Sequence, residues 1–290
     1  MAENSVVVVG SINMDLVTRT SRMPAPGETI LGTSFATTPG GKGSNQAIAA
    51  AKAGGDVAFV GAVGDDTFAL ELRQTLVDAE VDAEHLREVP GPSGVAAITV
   101  DDDGQNSIIV VAGANSHVHD LTESELAAIA NADVLLCQLE IPIHTVTAAA
   151  RHASTHDTLV MLNPSPAQTL PDDLVDAVDV LVVNETEERQ LGEDTLSRVH
   201  HVVTTLGADG ARYRGPTGER VRADALTVDA VDTTGAGDAF TGALAVAWNR
   251  GPQEALTFAG AAGALATTRP GAAAASPTRK EIDALLARQS

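Results

Sequence analysis

The sequence predicts an α/β protein: a doubly wound, mostly parallel sheet flanked by helices, with a small β-sheet lid set apart from it. Three observations carry that expectation. Short unbroken aliphatic runs, beginning with Val6–Val9, recur along the 290 residues, as strands buried on both faces should. Helical stretches fall between them, which implies parallel crossovers. Two segments, about 14–40 and 93–111, break the rhythm with Thr, Pro and Gly and few helix formers.

Val6–Val9 opens the sheet, and residues 14–40 give the first part of the lid. Ser44–Ala53 is an alanine-rich helix stopped by Gly54-Gly55, and Val57–Val60 is the next strand. A helix follows around Phe68–Ala79. Residues 93–111 read as two strands about the turn Asp101-Asp-Asp-Gly104 and complete the lid. Strand signals return at Val134–Leu139, Leu159–Leu162, Val180–Val183 and Val202–Thr205, with a helix around Ile143–His152. Val228–Val231 reads as the end of a strand. After it, Phe240, Ala243, Leu244, Ala247 and Trp248 share one helical face, and Ala255–Thr267 is a helix packed closely on the sheet. One domain, residues 1–290, is expected, with the lid inserted into the α/β core.

The formal charge of −21 argues against nucleic acid or an anionic membrane as a partner. Cys137, the single cysteine, lies in an apolar run and reads as a buried small hydrophobe, so no disulfide framework is available. Glu3 and a short valine run do not make a signal peptide, and no apolar stretch reaches membrane-spanning length. A cytoplasmic location is expected.

The most informative stretch is Asp232-Thr-Thr-Gly-Ala-Gly-Asp-Ala-Phe240. It is a turn that opens a helix, where the first amides lack internal partners and the dipole is positive. Gly235 and Gly237 let an anion approach the backbone, and Asp238 stands beside it. An anion hole next to a base suits phosphoryl transfer to a hydroxyl. In isolation, Gly-x-Gly-Asp is more simply a tight helix entry with an Asp cap. Two familiar phosphate loops are absent: Phe240 stands where a dinucleotide fingerprint needs Gly, and Lys42 is followed by Gly43 rather than Ser or Thr. Polar residues also recur beyond successive strands: Gly10-Ser-Ile-Asn-Met-Asp15, Glu140, Asn163-Pro-Ser-Pro166, Asn184-Glu-Thr-Glu187 and Thr205-Leu-Gly-Ala-Asp-Gly210. That is the ligand-binding edge of an open α/β sheet.

Gly10-Ser-Ile-Asn-Met-Asp15, Gly40-Gly-Lys-Gly-Ser-Asn-Gln46, Asn184-Glu-Thr-Glu187 and Asp232-Thr-Thr-Gly-Ala-Gly-Asp238 follow one another as in the ribokinase-like (PfkB) sugar kinases, which the chain resembles from about residue 5 to 285. The resemblance implies ATP-dependent phosphorylation of D-ribose at its 5-hydroxyl. Asp238 would be the general base, with the amides of Gly235, Ala236 and Gly237 holding the γ-phosphoryl group. Asn13, Met14 and Asp15, the loop Gly41, Lys42, Gly43, Ser44 and Asn45, and Glu140 would hold the sugar. Asn184 would organise the triphosphate and Glu187 its Mg²⁺, through water. Thr205, Leu206, Gly207, Ala208, Asp209 and Gly210 would line the nucleotide pocket together with Gly237 and Asp238, with Gly260 beneath the adenine. Asp232, Thr234, Ala266, Arg269, Gly271 and Ser276 would enclose K⁺. A homodimer through the lid is implied as well.

Between Glu187 and Thr205 the chain is shorter than the resemblance leads one to expect, so Leu191–Thr195 should cross quickly to the next strand. His117 and His119 have metal-like spacing on an expected strand, but no further ligands are visible. His152 and His156 lack a zinc pattern, and His200-His201 reads as exposed. Rival readings are a sibling kinase acting on deoxyribose, another sugar or a nucleoside, and a non-catalytic sugar or nucleotide sensor on the same fold. Aromatic residues at 2% leave little to stack on a nucleobase acceptor.

Overall fold

The structure, a computed structural model, describes residues 4–289. Its first part runs β1 (Ser5–Val9), β2 (Asn13–Arg19), β3 (Ser34–Gly40), α1 (Lys42–Lys52), β4 (Asp56–Val63), α2 (Ala69–Asp78), β5 (Leu86–Glu88), β6 (Gly94–Val100) and β7 (Asn106–Val111). The middle holds α3 (Glu123–Asn131), β8 (Val134–Cys137), α4 (Ile143–Ser154), β9 (Leu159–Leu162), α5 (Asp172–Val175), β10 (Val180–Asn184) and α6 (Glu185–Leu196). The last part is β11 (His201–Thr205), β12 (Ala211–Arg214), β13 (Arg220–Ala223), α7 (Ala236–Ala247), α8 (Pro252–Ala266) and α9 (Arg279–Gln289).

Nine strands form the main sheet in the order β13-β12-β11-β10-β9-β8-β1-β4-β5. From β5 across to β11 the pairings are parallel, and β12 and β13 join antiparallel at one edge. Period-2 alternation divides the core between the two faces. Val6 and Val8 of β1 pack with α1, α7 and α8, whereas Val7 and Val9 pack with α4. Burying each such valine contributes roughly 1.5–3 kcal/mol. Because both faces are covered, the strands read as unbroken apolar runs rather than alternating ones.

The second sheet has the order β3-β2-β6-β7 and occupies the segments expected of the lid. Asp101 Oδ1 accepts from the amides of Asp103 and Gln105, and Gly104 takes φ 78°, which closes the β6–β7 hairpin. Ile108, Ile109, Val110 and Val111 of β7 are all at least half exposed, as is Phe35 of β3.

Four sequence expectations are corrected. Val228–Val231 is not a strand but part of a loop; Val231 and Asp232 donate their amides to the Thr267 carbonyl at the end of α8. His117 ends a 3-10 helix, Gly113–His117, rather than lying on a strand. Leu191–Thr195 does not cross directly to β11, because α6 continues through a kink at Gly192, which has φ 75°. His201 is partly buried, and its Nδ1 is 2.7 Å from the Tyr213 hydroxyl.

One packing contact sets the site. Residues Ala239–Ala247 of α7 are buried throughout, and a Cβ on Gly242 would stand 2.5 Å from the Gln46 carbonyl. Glycine there lets α7 lie directly on α1. The start of α1 thereby meets the start of α7.

Candidate active site

α7 starts at a turn that only glycine can make. Gly235 caps it at φ 74°, and a Cβ there would lie 2.6 Å from Ala272 Cα. Gly237 has nothing within 4 Å of its Cβ position, so that side of the turn is open. Ala236 donates its amide to the Thr233 carbonyl at 3.2 Å and so spends it within the turn. The amides of Gly235 and Gly237 meet no backbone acceptor among the described residues, at the positive end of the α7 dipole.

A cleft with about 510 Å³ of empty volume opens in front of this turn. Its walls are Lys42, Asn163, Ser165, Val182, Val183, Asn184, Glu187, Thr205, Gly235, Gly237, Asp238 and Thr241. Strand ends β9, β10 and β11 supply one side and the starts of α1, α6 and α7 the other. Asn184 and Glu187 form a reciprocal cap on α6: Asn184 Oδ1 accepts from the amides of Thr186 and Glu187, and Glu187 Oε2 accepts from Asn184 N, each at 2.9 Å.

Asp238 is held on both oxygens. Asn45 Nδ2 donates to Oδ2 at 3.1 Å and Gln46 Nε2 to Oδ1 at 2.9 Å. Burial pushes the Asp238 carboxyl up, and Glu140 adds to this. The Lys42 ammonium and the two amide donors pull the other way without cancelling it. A carboxylate with a raised pKa is a better proton acceptor at neutral pH.

Beyond Asp238 the polar groups come from side chains. Glu140 Oε2 accepts from Ser11 Oγ at 2.6 Å and from Lys42 N at 3.0 Å. Burial, then Glu140 and Asp238, push the Asp15 carboxyl up to about 7. Asn13 Oδ1 accepts from Asn115 Nδ2 at 2.7 Å, while Asn115 also bonds both backbone groups of Ile12. Ser44 Oγ donates to the Gly40 and Gly41 carbonyls and shapes the loop, whereas Met14 is fully buried core. Gly43 is needed because a Cβ there would lie 2.5 Å from Ser11 N. Asn45 Oδ1 is buried without a partner in the described structure. Two further acidic groups, Asp15 and Glu140, and an unmet amide oxygen beside one base suit a ligand rich in hydroxyls, which can donate to all of them.

The profile of the pfkB family carbohydrate kinases matches residues 3–279. The chain belongs to that family. It is 38% identical over 294 residues to a ribokinase of Bacillus subtilis (strain 168), covering 97% of this chain and 99% of that one. A deoxyribokinase of Salmonella typhi is 34% identical over 258 residues, covering 83% and 84%. Among solved structures, the Arabidopsis thaliana ribokinase complexed with ribose and ATP superposes with a TM-score of 0.90 at 33% identity, covering 99% of each chain. This family membership fits a sugar-kinase reading of the cleft.

Of the residues expected to hold nucleotide, Asn184, Thr205, Gly237 and Asp238 are on the cleft walls. Leu206 leads into the 3-10 turn Gly207–Asp209, which Gly210 closes, and Gly260 lies on α8 with open space at its Cβ position. Glu187, on the cleft wall, accepts the Asn184 amide through Oε2, so Oε1 suits a water of hydrated Mg²⁺.

Of the residues expected around K⁺, Asp232, Thr234 and Gly271 are brought together by hydrogen bonds. Asp232 Oδ1 accepts from Thr234 N and Oδ2 from Gly271 N, each at 2.9 Å. Burial opposes the Asp232 charge, but these bonds outweigh it and hold the carboxyl below the ordinary range. Ala266 ends α8, and Pro270 has no N–H to satisfy its carbonyl. One carboxylate and main-chain oxygens at the negative end of a helix fit a monovalent cation. The Arg269 guanidinium is paired with Glu281, which leaves its main chain for that role, and Ser276 is buried.

Individual roles for Ser11, Gln46, Asn115, Gln138, Asn163, Ser165 and Thr241 emerge only from the structure, although Ser11, Gln46, Asn163 and Ser165 lie within motifs singled out in the sequence. Gln46, Gln138 and Asn163 had a signal, each being polar at the edge of a buried element. Asn115 had none, because its partners lie about a hundred residues earlier.

Proposed function

We propose that the protein transfers the γ-phosphoryl group of ATP to the 5-hydroxyl of D-ribose, giving D-ribose 5-phosphate and ADP. One observation carries this: Asp238 stands between an anion-binding helix start and a cluster of hydroxyl-binding side chains. A sugar hydroxyl lying against Asp238 points toward a phosphate on the Gly235 and Gly237 amides. Asp238 takes the proton as the hydroxyl attacks, because the hydroxyl is too weak an acid to ionise first. Lys42, on the cleft wall, adds positive charge to that side. The ribokinases among the relatives support ribose; the deoxyribokinase is the nearest rival acceptor class, differing by one hydroxyl.

Mg²⁺ would enter with ATP beside Glu187 and neutralise phosphate charge. K⁺ at Asp232, Thr234, Ala266, Arg269, Gly271 and Ser276 would brace the Gly235 turn. The exposed apolar face of β7, with Phe35 of β3, supports use of the small sheet as the contact of a homodimer and as a lid over the sugar. Among the described residues, no helix is long and apolar enough to cross a membrane. ATP as co-substrate and a single buried thiol favour the cytoplasm.

The test is ADP release from Mg-ATP with ribose, deoxyribose, hexoses and nucleosides, with and without K⁺. Ribose-dependent turnover is expected. Turnover only with another acceptor would move the substrate, and sugar binding without turnover would favour a sensor.

A further inference from the structure

A chain of buried amides ends on the catalytic base. Gln46, fully buried, spends both Nε2 protons, one on Asp238 Oδ1 and one on Asn163 Oδ1, each at 2.9 Å. Its Oε1 accepts from Nε2 of fully buried Gln138 at 2.6 Å. Asn163 Nδ2 donates to the Val182 carbonyl of β10 at 2.9 Å.

The backbone fixes the direction of this chain. A main-chain carbonyl only accepts, so Asn163 must offer Nδ2 to Val182 and Oδ1 to Gln46. Gln46 must then offer Nε2 to Asn163 and Asp238, and Oε1 to Gln138. The mismatch is pushed to the far end. Gln138 Oε1 is buried without a donor, against Gly10, where a Cβ would lie 2.2 Å away. A buried acceptor left unmet destabilises the fold. An apolar residue at 138 would only move that penalty to Gln46 Oε1, which would lose its donor, so the amide at 138 keeps Gln46 satisfied in this orientation.

We infer that Gln46 is the positioning residue of Asp238, and that Gln138 and Asn163 lock Gln46 in the donor orientation. The inference rests on the kinase reading above and adds to it. With Oδ1 taken by Gln46, Oδ2 is the oxygen that receives the proton. The hydroxyl O–H bond breaks and its proton passes to Oδ2. The hydroxyl oxygen forms the new bond to the γ-phosphorus, and the bond to the bridging oxygen breaks with its electrons leaving on ADP. Asn45, the 3.1 Å partner of Oδ2, has its own Oδ1 unmet and can turn to the sugar as this happens. The charged groups facing Asp238 are Lys42 at the start of α1, Glu140 after β8, and Asp15 on β2. None of them is in the amide chain.

Gln46→Met and Gln138→Met test this. Gln138→Met touches neither Asp238 nor the cleft walls, and it exchanges one unmet buried oxygen, Gln138 Oε1, for another, Gln46 Oε1, so its Tm is expected to stay close to that of the wild type. Loss of a donor to the charged carboxylate in Gln46→Met, and the loosening of that donor in Gln138→Met, should move the acid limb of kcat to higher pH. They should lower kcat by about 100-fold in Gln46→Met and about 10-fold in Gln138→Met, with KM for ribose and ATP within about 2-fold. Carboxyl titration of 13C-labelled aspartate, with the Asp238 signal assigned from Asp238→Asn, should show the same rise without turnover. That separates this inference from the kinase reading: wild type without sugar-dependent turnover overturns the latter, while the Asp238 titration still decides the former. An acid limb and an Asp238 titration both unchanged in Gln138→Met would overturn the positioning role, as would a rise in KM at constant kcat.

Discussion

The two sides of the cleft are made from different materials. On the anion side the groups are main-chain amides, glycines and helix starts: Gly235 and Gly237 open α7, and Asn184 and Glu187 cap α6. On the hydroxyl side they are side chains from separate segments: Ser11, Asn13, Asp15, Asn45 and Glu140, with Ser11 bonded to Glu140, Asn13 to Asn115 and Asn45 to Asp238. A backbone-built site is tolerant of most side chains but intolerant of a Cβ in the wrong place. A side-chain-built site can be altered one atom at a time, which suits it to discriminating between acceptors.

Asp238 belongs to both sides, so its loss should have the largest effect. Asp238→Asn is expected to lower kcat by about 10³-fold or more with a folded protein, judged by steady-state kinetics and near-UV circular dichroism. The two glycines should then part company. Gly235→Ala meets both a left-handed φ and Ala272 and should cost about 2–4 kcal/mol of stability in denaturant titration. Gly237→Ala meets no neighbour, so Tm should hold while KM for ATP rises about 10-fold or more, because the methyl group enters the space the phosphate needs. Equal melting of the two variants would break the account of the turn.

On the side-chain half, Asn115→Leu removes the partner of Asn13 and should raise KM for ribose about 10-fold while leaving KM for ATP unchanged. A rise in both would break the division between the two sides.

The smallest effect is in pH. Asp15, raised to about 7, binds its proton more tightly when folded than when unfolded. Its favourable contribution is therefore full below the unfolded pKa of 3.8 and is lost as pH rises through about 7. Asp15→Asn should stabilise the sugar-free protein at pH 8 by about 1–2 kcal/mol, a figure already discounted for partial exposure, and should not do so at pH 4. The wild-type KM for ribose should worsen below about pH 7 as Asp15 loses its charge, with KM for ATP less affected.

What could be read from the sequence follows the same division. The anion side was legible because glycine spacing, a following helical face and an acidic residue are local features. The buried parallel strands were legible too, since valine runs need no knowledge of their partners. The edge was not. β12 and β13 carry Arg212, Arg214, Arg220 and Arg222 and lack an apolar run, so only pairing with β11 makes them strands. The Val228–Val231 run failed in the opposite way, because apolar residues there cross the surface as a loop and Val231 is 70% exposed.

By itself the sequence determined the α/β architecture, the small second sheet, and the helix start that carries Gly235, Gly237 and Asp238. Each is set by φ, by periodicity or by the spacing of residues close along the chain. Only the tertiary structure decided which side chains reach Asp238. Gln46 and Asn45 lie 192 and 193 residues away and arrive because Gly242 lets α7 lie against α1. Ser11 meets Glu140 from 129 residues away through the parallel pairing of β1 with β8. Such contacts are fixed by close packing between elements, which leaves no periodic trace in the chain.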